Sequence, residues 1–232
     1  MMARGIWSGV LAVALGLGVP VGALAQVPPL AAEVLAFEGL HQAAWHGDLQ
    51  KLKALIASGA NLDARDARGR TPLHVATFAR QREAIKLLAK AGANLDLLED
   101  DRYDAVTIAS VADDAATLSV LLSLGAKAGQ TTSRYDGTAL IAAAHLGHDE
   151  VVRRLIAAGA PLDHVNNLHW TAVIESIVLG DGGPRHQRTL AALIDAGASL
   201  KLADRQGNTP LQLAKARGYT AMVKLIEAAR AK

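Results

Sequence analysis

The sequence predicts an all-α fold, a solenoid of about six helix-turn-helix units with β-hairpin-like fingers between them. The first observation is a repeat: the pair Gly-Ala recurs at Gly59, Gly92, Gly125, Gly159 and Gly197, at intervals of 33, 33, 34 and 38 residues. An apolar helical run precedes most of these pairs, and a short polar segment follows them. Composition agrees, because 51% of the 232 residues are hydrophobic and only 3% are aromatic. Small-residue helix packing is therefore favoured over a sandwich or a barrel.

The first 25 residues differ from the rest and predict a secretory signal peptide. Arg4 gives the start its positive charge, residues 6–24 are apolar apart from Ser8, and the small residues Ala23 and Ala25 suit cleavage after Ala25. The alternative is an uncleaved inner-membrane anchor. Glycines and Pro20 within the run favour cleavage, so we expect a periplasmic or secreted protein with no stable membrane insertion.

The remaining chain divides into a linker, residues 26–32, and a repeat domain, residues 33–232. Six units are expected, and their ranges are 33–65, 66–98, 99–132, 133–165, 166–203 and 204–232. In the second unit Thr71 is expected to cap a first helix that begins at Pro72, with Leu73 and Val75 packed against neighbouring helices. Gly59 and its equivalents suit a left-handed helix end. Each helix pair has two apolar faces, which stacking buries.

Motifs within these units resemble the ankyrin-repeat family. "TPLHVA" at residues 71–76 returns as "TPLQLA" at 209–214, and "GHDEVVRRL" spans residues 147–155. Together with the period and the Gly-Ala ends, these motifs extend the resemblance over about residues 33–229. With its predicted signal peptide, the chain resembles exported bacterial members of the family. The resemblance implies a non-enzymatic scaffold without a cofactor, and a monomer that binds a protein partner of unknown identity.

The charged and metal-binding residue types likewise predict no catalytic, metal or nucleic-acid site. There is no cysteine, and the eight histidines show no metal-ligand spacing, so no metal site, cofactor or catalytic residue is predicted. His74 is expected to be structural. Net charge falls from +2 to +1 when Arg4 is removed with the signal, which gives no reason to expect nucleic acid. A basic second unit and an acidic third unit leave two alternatives, cross-repeat ion pairs or a face that steers a charged partner.

Partner contacts are expected on the concave face and the fingers, where large aromatic and arginine side chains anchor protein partners. The alternative for the aromatic residues is packing between neighbouring fingers. The predicted contact residues are Arg68, Arg70, Phe78, Tyr103, Tyr135, His145, Trp170, Gly182, Gly183, Arg185 and His186.

The fifth unit departs most from the repeat. It carries an insertion of about five residues, "GDGGPRHQ", and Glu175 takes the place of Val75. A buried carboxylate must be paired, hydrogen-bonded or protonated. The first hypothesis is that Glu175 anchors the loop, through the backbone of residues 181–185 or through Arg185 or His186. The second is a small-ligand or enzymatic site formed by Glu175 and the 181–186 loop with His145, His169, Trp170 and Asp181.

Overall fold

The computed structural model describes residues 28–231 of the chain. The predicted signal peptide, its cleavage site and the first residues of the linker lie outside this range. Within it are thirteen helices and one two-stranded sheet. The all-α repeat fold is therefore confirmed.

The first short helix, α1 (Ala31–Leu35), precedes six helix pairs. It covers the end of the predicted linker, where the Glu33 carboxylate accepts a hydrogen bond from the Leu30 backbone at 2.8 Å. The first helices of the pairs, here called inner helices, are α2 (Gly39–His46), α4 (Pro72–Phe78), α6 (Ala105–Val111), α8 (Ala139–His145), α10 (Ala172–Val178) and α12 (Pro210–Ala216). The second, outer helices are α3 (Leu49–Ala57), α5 (Arg82–Lys90), α7 (Ala115–Ser123), α9 (Asp149–Ala157), α11 (Pro184–Asp195) and α13 (Thr220–Arg230).

The helices form two layers with the apolar core between them. Each inner helix contacts the next inner helix, and each outer helix contacts the next outer helix. Leucine and isoleucine from both layers are fully buried, among them Leu88, Leu121, Leu155 and Leu193 at the same place in successive outer helices. No helix pair encloses this core alone, so the stability of each unit depends on its neighbours.

The start of each inner helix follows the capping chemistry that the sequence predicts. The Thr71 side chain accepts a hydrogen bond from the His74 backbone at 3.4 Å, and Pro72 occupies the first turn. The His74 ring is buried, and its Nε2 lies 2.9 Å from the Leu97 carbonyl oxygen of the same unit. Burial lowers the pKa of His74 to about 4, so the ring is neutral at physiological pH. The structural role predicted for His74 is confirmed.

The Gly-Ala pairs mark the ends of the outer helices. Gly59 and Gly92 have φ values of 81° and 102°, and the later glycines of the series are similarly left-handed. This conformation strains other residues, which accounts for the repeated glycine.

The insertion of the fifth unit differs from the predicted loop. The connection between α10 and α11 covers residues 179–183, whereas that between α4 and α5 covers residues 79–81. Helix α11 has 12 residues and α5 has 9. The insertion is thus shared between the connection and the helix. Arg185 and His186, predicted to lie in the loop, belong to the first turn of α11, because Pro184 is suited to a first helical position.

Candidate functional site

The fingers between successive units are joined by hydrogen bonds. The Asp100 N–H donates to the Arg68 carbonyl at 3.1 Å, and the Asn167 N–H donates to the Tyr135 carbonyl at 2.9 Å. One finger forms a true hairpin, in which β1 (Thr131–Thr132) pairs with β2 (Gly137–Thr138) in antiparallel register. These bonds hold the finger row in one arrangement, which lowers the entropy cost of binding a partner.

Ion pairs also connect the units. Arg82 of the basic second unit lies 3.1 Å from Asp114 of the acidic third unit. Arg102 pairs with Asp136 at 2.9 Å. Of the two alternatives for the charge pattern, cross-repeat pairing is the one that these contacts support.

Two of the predicted contact residues lie at the second finger. Arg68 is exposed, and its Nε lies 3.1 Å from Glu33 of α1. Arg70 is only 3% exposed. Its guanidinium lies 2.7 Å from Asp66 and 3.1 Å from Glu33, over the Phe37 ring. Arg70 is therefore not placed to contact a partner, and the prediction for it is wrong. It holds α1 against the first two units.

The aromatic candidates are partly accessible along the inner-helix and finger face. Phe78 and His145 lie at the ends of inner helices, whereas Tyr103, Tyr135 and Trp170 belong to fingers. All five side chains are half-buried. These five residues were predicted to lie on one face, and part of each side chain is accessible in the structure.

The fifth finger, residues 165–170, exposes apolar side chains that the aromatic pattern does not reveal. Val165 is 44% exposed and Leu168 is 36% exposed, and Leu179 at the end of α10 is 40% exposed. These apolar residues can be identified from the sequence by aligning Thr171 with Thr71. Val165, Leu168 and Trp170 then replace Arg65, Arg68 and Arg70 of the second finger. A basic finger has become an apolar one.

The inserted segment is held by units four and six. His186 Nδ1 lies 2.7 Å from the Asp181 carboxylate, and its Nε2 lies 2.9 Å from the His145 carbonyl oxygen. Gly182 and Gly183 are half-buried, and Gly182 has a left-handed φ of 70°. A Cβ added there would lie 2.6 Å from the Tyr219 ring, so this turn requires glycine.

Of the remaining candidates on this segment, Arg185 is half-exposed but already paired. Its Nη2 lies 2.7 Å from Asp113, two units away along the chain. His186 is buried, so it fixes the segment and has little surface for a partner.

Replacing Tyr219 by phenylalanine tests how the insertion is anchored. The Tyr219 hydroxyl donates to the Gly180 carbonyl at 2.8 Å. Loss of this bond should lower the free energy of unfolding by about 1 kcal/mol. The measurement is urea unfolding, with Tyr103→Phe as the matched control. Equal stability of Tyr219→Phe and wild type would show that the bond does not hold the insertion.

Glu175 has different partners from those predicted. It is buried, 5% exposed, and accepts a hydrogen bond from Asn166 Nδ2 at 2.8 Å. The hydrogen bonds of the inserted segment go to Asp113, His145, Tyr219 and its own residues, and none reaches the Glu175 carboxylate. The prediction that Glu175 anchors the loop is therefore wrong.

Asn166 explains why a carboxylate is accommodated. Its Oδ1 accepts the backbone N–H groups of Leu168 and Trp170, both at 3.0 Å, so its amide nitrogen points toward Glu175. In the second unit the same place is held by Asp66, which has no donor. Asn166 and Glu175 are thus coupled departures from the repeat.

The protonation of this pair follows from its burial. Desolvation raises the pKa of Glu175 to about 7, although the Asn166 bond opposes it. His145 Nδ1 lies 3.7 Å from the carboxylate, beyond hydrogen-bond distance. Burial, with His186 and His148 nearby, lowers the pKa of His145, so this ring brings no full positive charge at neutral pH.

The alternative ligand site predicted around Glu175 is not assembled. His169 is exposed on the finger, and the Asp181 carboxylate bonds Gly183 and His186. Two shallow concavities of residues 28–231 lie away from Glu175, at residues 198–201 with 229–230 and at residues 100–102 with Arg134. Residues 28–231 contain no cluster of three or more metal-ligating side chains. No helix among them has an apolar length sufficient to cross a bilayer.

Stacked helix pairs with a fixed row of fingers define a helical repeat protein. A family model for ankyrin repeats in three copies matches residues 40–132, and one for a single ankyrin repeat matches residues 135–167. The ankyrin repeat protein YahD of Escherichia coli (strain K12) is 32% identical over 190 residues, covering 82% of this chain and 94% of YahD. The chain belongs to the ankyrin-repeat family.

Solved structures agree. An ankyrin repeat domain from Acinetobacter baumannii AYE is 43% identical, with a TM-score of 0.78, over 82% of this chain and 97% of that domain. A chain from the complex of the Bd0816 predatory endopeptidase of Bdellovibrio bacteriovorus with immunity protein Bd3460 is 26% identical. It has a TM-score of 0.69 and covers 83% of this chain and 98% of its own length.

Proposed function

We propose that this protein is a non-enzymatic scaffold that binds a protein partner through its inner-helix and finger face. The observation that carries the proposal is the fifth finger, where Val165 and Leu168 are exposed on a backbone fixed by hydrogen bonds. Exposed apolar side chains on a rigid element are typical of protein interfaces. Ankyrin repeats generally act as such scaffolds, and the Bd0816–Bd3460 complex gives a precedent for this fold in a complex of two proteins.

We also propose that the scaffold works after export, in the periplasm or outside the cell. The support is the sequence of residues 1–25, with Arg4, the apolar run and the Ala23–Ala25 site. N-terminal sequencing of the protein from the envelope fraction tests this. A start at Gln26 supports cleavage, whereas a start at Met1 supports the anchored alternative.

Substitution of the accessible aromatic side chains tests the binding face. Trp170→Ala and Tyr135→Ala together should reduce recovery of a cross-linked envelope partner at least about tenfold, because interface aromatic residues commonly contribute more than about 1 kcal/mol each. The matched control is Lys53→Ala with Lys224→Ala, on exposed positions of α3 and α13. Circular dichroism checks that each variant is folded. Equal recovery by the aromatic variant and wild type would contradict the proposed face.

A further inference from the structure

The C-terminal end of the finger row combines two features, of which the first is apolar surface. Val165 and Leu168 are exposed on the fifth finger, and Trp170 is half-buried beside them in sequence. The backbone of this finger is held by the fourth, since the Asn167 N–H and Nδ2 donate to the Tyr135 and Arg134 carbonyls at 2.9 and 3.0 Å. The backbone that carries the apolar side chains therefore keeps one arrangement.

The second feature is positive charge that no carboxylate neutralises. Arg68, Arg102 and Arg134 of the earlier fingers each form an ion pair with an acidic side chain. Arg205 of the sixth finger instead donates to the Asn167 carbonyl at 2.9 Å and, among residues 28–231, forms no ion pair. Its guanidinium thus lies at the peptide group that joins Asn167 to Leu168.

The charge of the sixth unit has the same sign. Residues 204–232 contain six basic and two acidic residues. One of the acids, Glu227, pairs with Lys215 at 2.8 Å. The other, Asp204, accepts backbone N–H groups of Gln206 and Asn208 at 3.0 and 2.8 Å. The C-terminal end of the scaffold is therefore positive, whereas the arginines of the earlier fingers are paired with carboxylates.

From this juxtaposition we infer that the surface formed by Val165, Leu168, Trp170 and Arg205 binds a protein segment in which aliphatic or aromatic side chains adjoin Asp or Glu. The inference rests on the proposed function and gives the partner's chemistry. Apolar side chains cover Val165 and Leu168, and a carboxylate pairs with Arg205 in the partly desolvated site. A nucleic acid requires many adjacent cations, and here a single finger arginine lies beside apolar residues.

Panning a phage-displayed library of random peptides tests the inference on the chain expressed from its full sequence. We expect enriched peptides to combine apolar residues with Asp or Glu. In fluorescence anisotropy, Leu168→Ser and Arg205→Glu should each weaken the best peptide at least about tenfold. Lys224→Glu makes the same charge change on an exposed position of the same unit and should change affinity less than about twofold. Panning on Arg205→Glu should instead enrich Lys and Arg.

Thermal unfolding confirms that each variant is folded. Enriched peptides without acidic residues, equal binding by Arg205→Glu and wild type, or no enriched peptide would each overturn the inference. The proposed function fails on a separate result, equal recovery of the envelope partner by the Trp170 and Tyr135 variant. If the partner is lost on those substitutions but still binds Arg205→Glu, the proposed scaffold function is supported. The inference that the partner segment carries Asp or Glu is then refuted.

Discussion

Replacing Glu175 by glutamine is expected to stabilise the protein by up to about 3 kcal/mol at pH 8 and to leave its stability unchanged near pH 4. The carboxyl group is buried, and its pKa is raised from 4.5 to about 7 in the folded chain. Glutamine keeps an oxygen to accept the Asn166 hydrogen bond but carries no charge. The gain at high pH is thus the cost of ionising a buried group.

The direction with pH follows from proton binding. Between about pH 4.5 and 7 the folded protein holds the Glu175 proton that the unfolded chain releases, so its contribution to stability falls as pH rises. His74 acts in the opposite direction, because its pKa is lowered from 6.5 to about 4. Asp104, with a pKa raised from 3.8 to about 6, acts in the same direction as Glu175. The difference between wild type and Glu175→Gln therefore isolates Glu175.

Urea unfolding at pH 4.5, 6 and 8 provides the measurement. Glu83→Gln, on the exposed surface of α5, is the control and should change the free energy of unfolding by less than about 0.5 kcal/mol throughout. A difference between wild type and Glu175→Gln that does not vary with pH would refute the raised pKa.

Features that repeat along the chain could be predicted from the sequence, because each copy supports the others. Thr71 and Pro72 start a helix through local chemistry, and Gly59 recurs wherever an outer helix ends in a left-handed turn. His74 was also predictable, since its ring bonds Thr71 and the Leu97 carbonyl oxygen within its own unit. These interactions are local, so they need no knowledge of distant contacts.

Contacts that are specific to one unit could not be predicted in the same way. Arg70 looks like a finger residue, and its burial depends on Glu33 in a helix that lies before the first repeat. Glu175 points toward the finger and not toward the insertion, because Asn166 offers a donor there. The apolar character of Val165 and Leu168 is visible in the sequence only when the fifth finger is aligned with the second.

The candidate site therefore combines the buried pair of Asn166 and Glu175 with the exposed surface of the fifth finger. Asn166 holds the turn of the fifth finger by accepting two backbone N–H groups, and its amide ties that turn to Glu175 in α10. Leu168 and Trp170 are positioned by the same two bonds. A change in the buried pair should consequently alter the finger as well as the stability of the unit.

Replacing Asn166 by aspartate should destabilise the protein by about 3 kcal/mol at pH 8. The substitution removes the amide donor, now 2.8 Å from Glu175, and places a second carboxylate beside a buried one. The effect should shrink below pH 6, where the two carboxyl groups can share a proton. Urea unfolding of the single variant at both pH values measures this change.

Adding Glu175→Val to Asn166→Asp should recover part of the loss, because it removes the second carboxylate, although Trp170 stands where Arg70 pairs with Asp66 in the second unit. The backbone acceptor role of residue 166 survives, since aspartate keeps the oxygens that bind the Leu168 and Trp170 N–H groups. A double-mutant cycle with Glu175→Val alone should give a coupling energy of at least about 2 kcal/mol. Additive effects would mean that Asn166 and Glu175 depart from the repeat independently. The conformation of the finger would then not depend on the buried carboxylate.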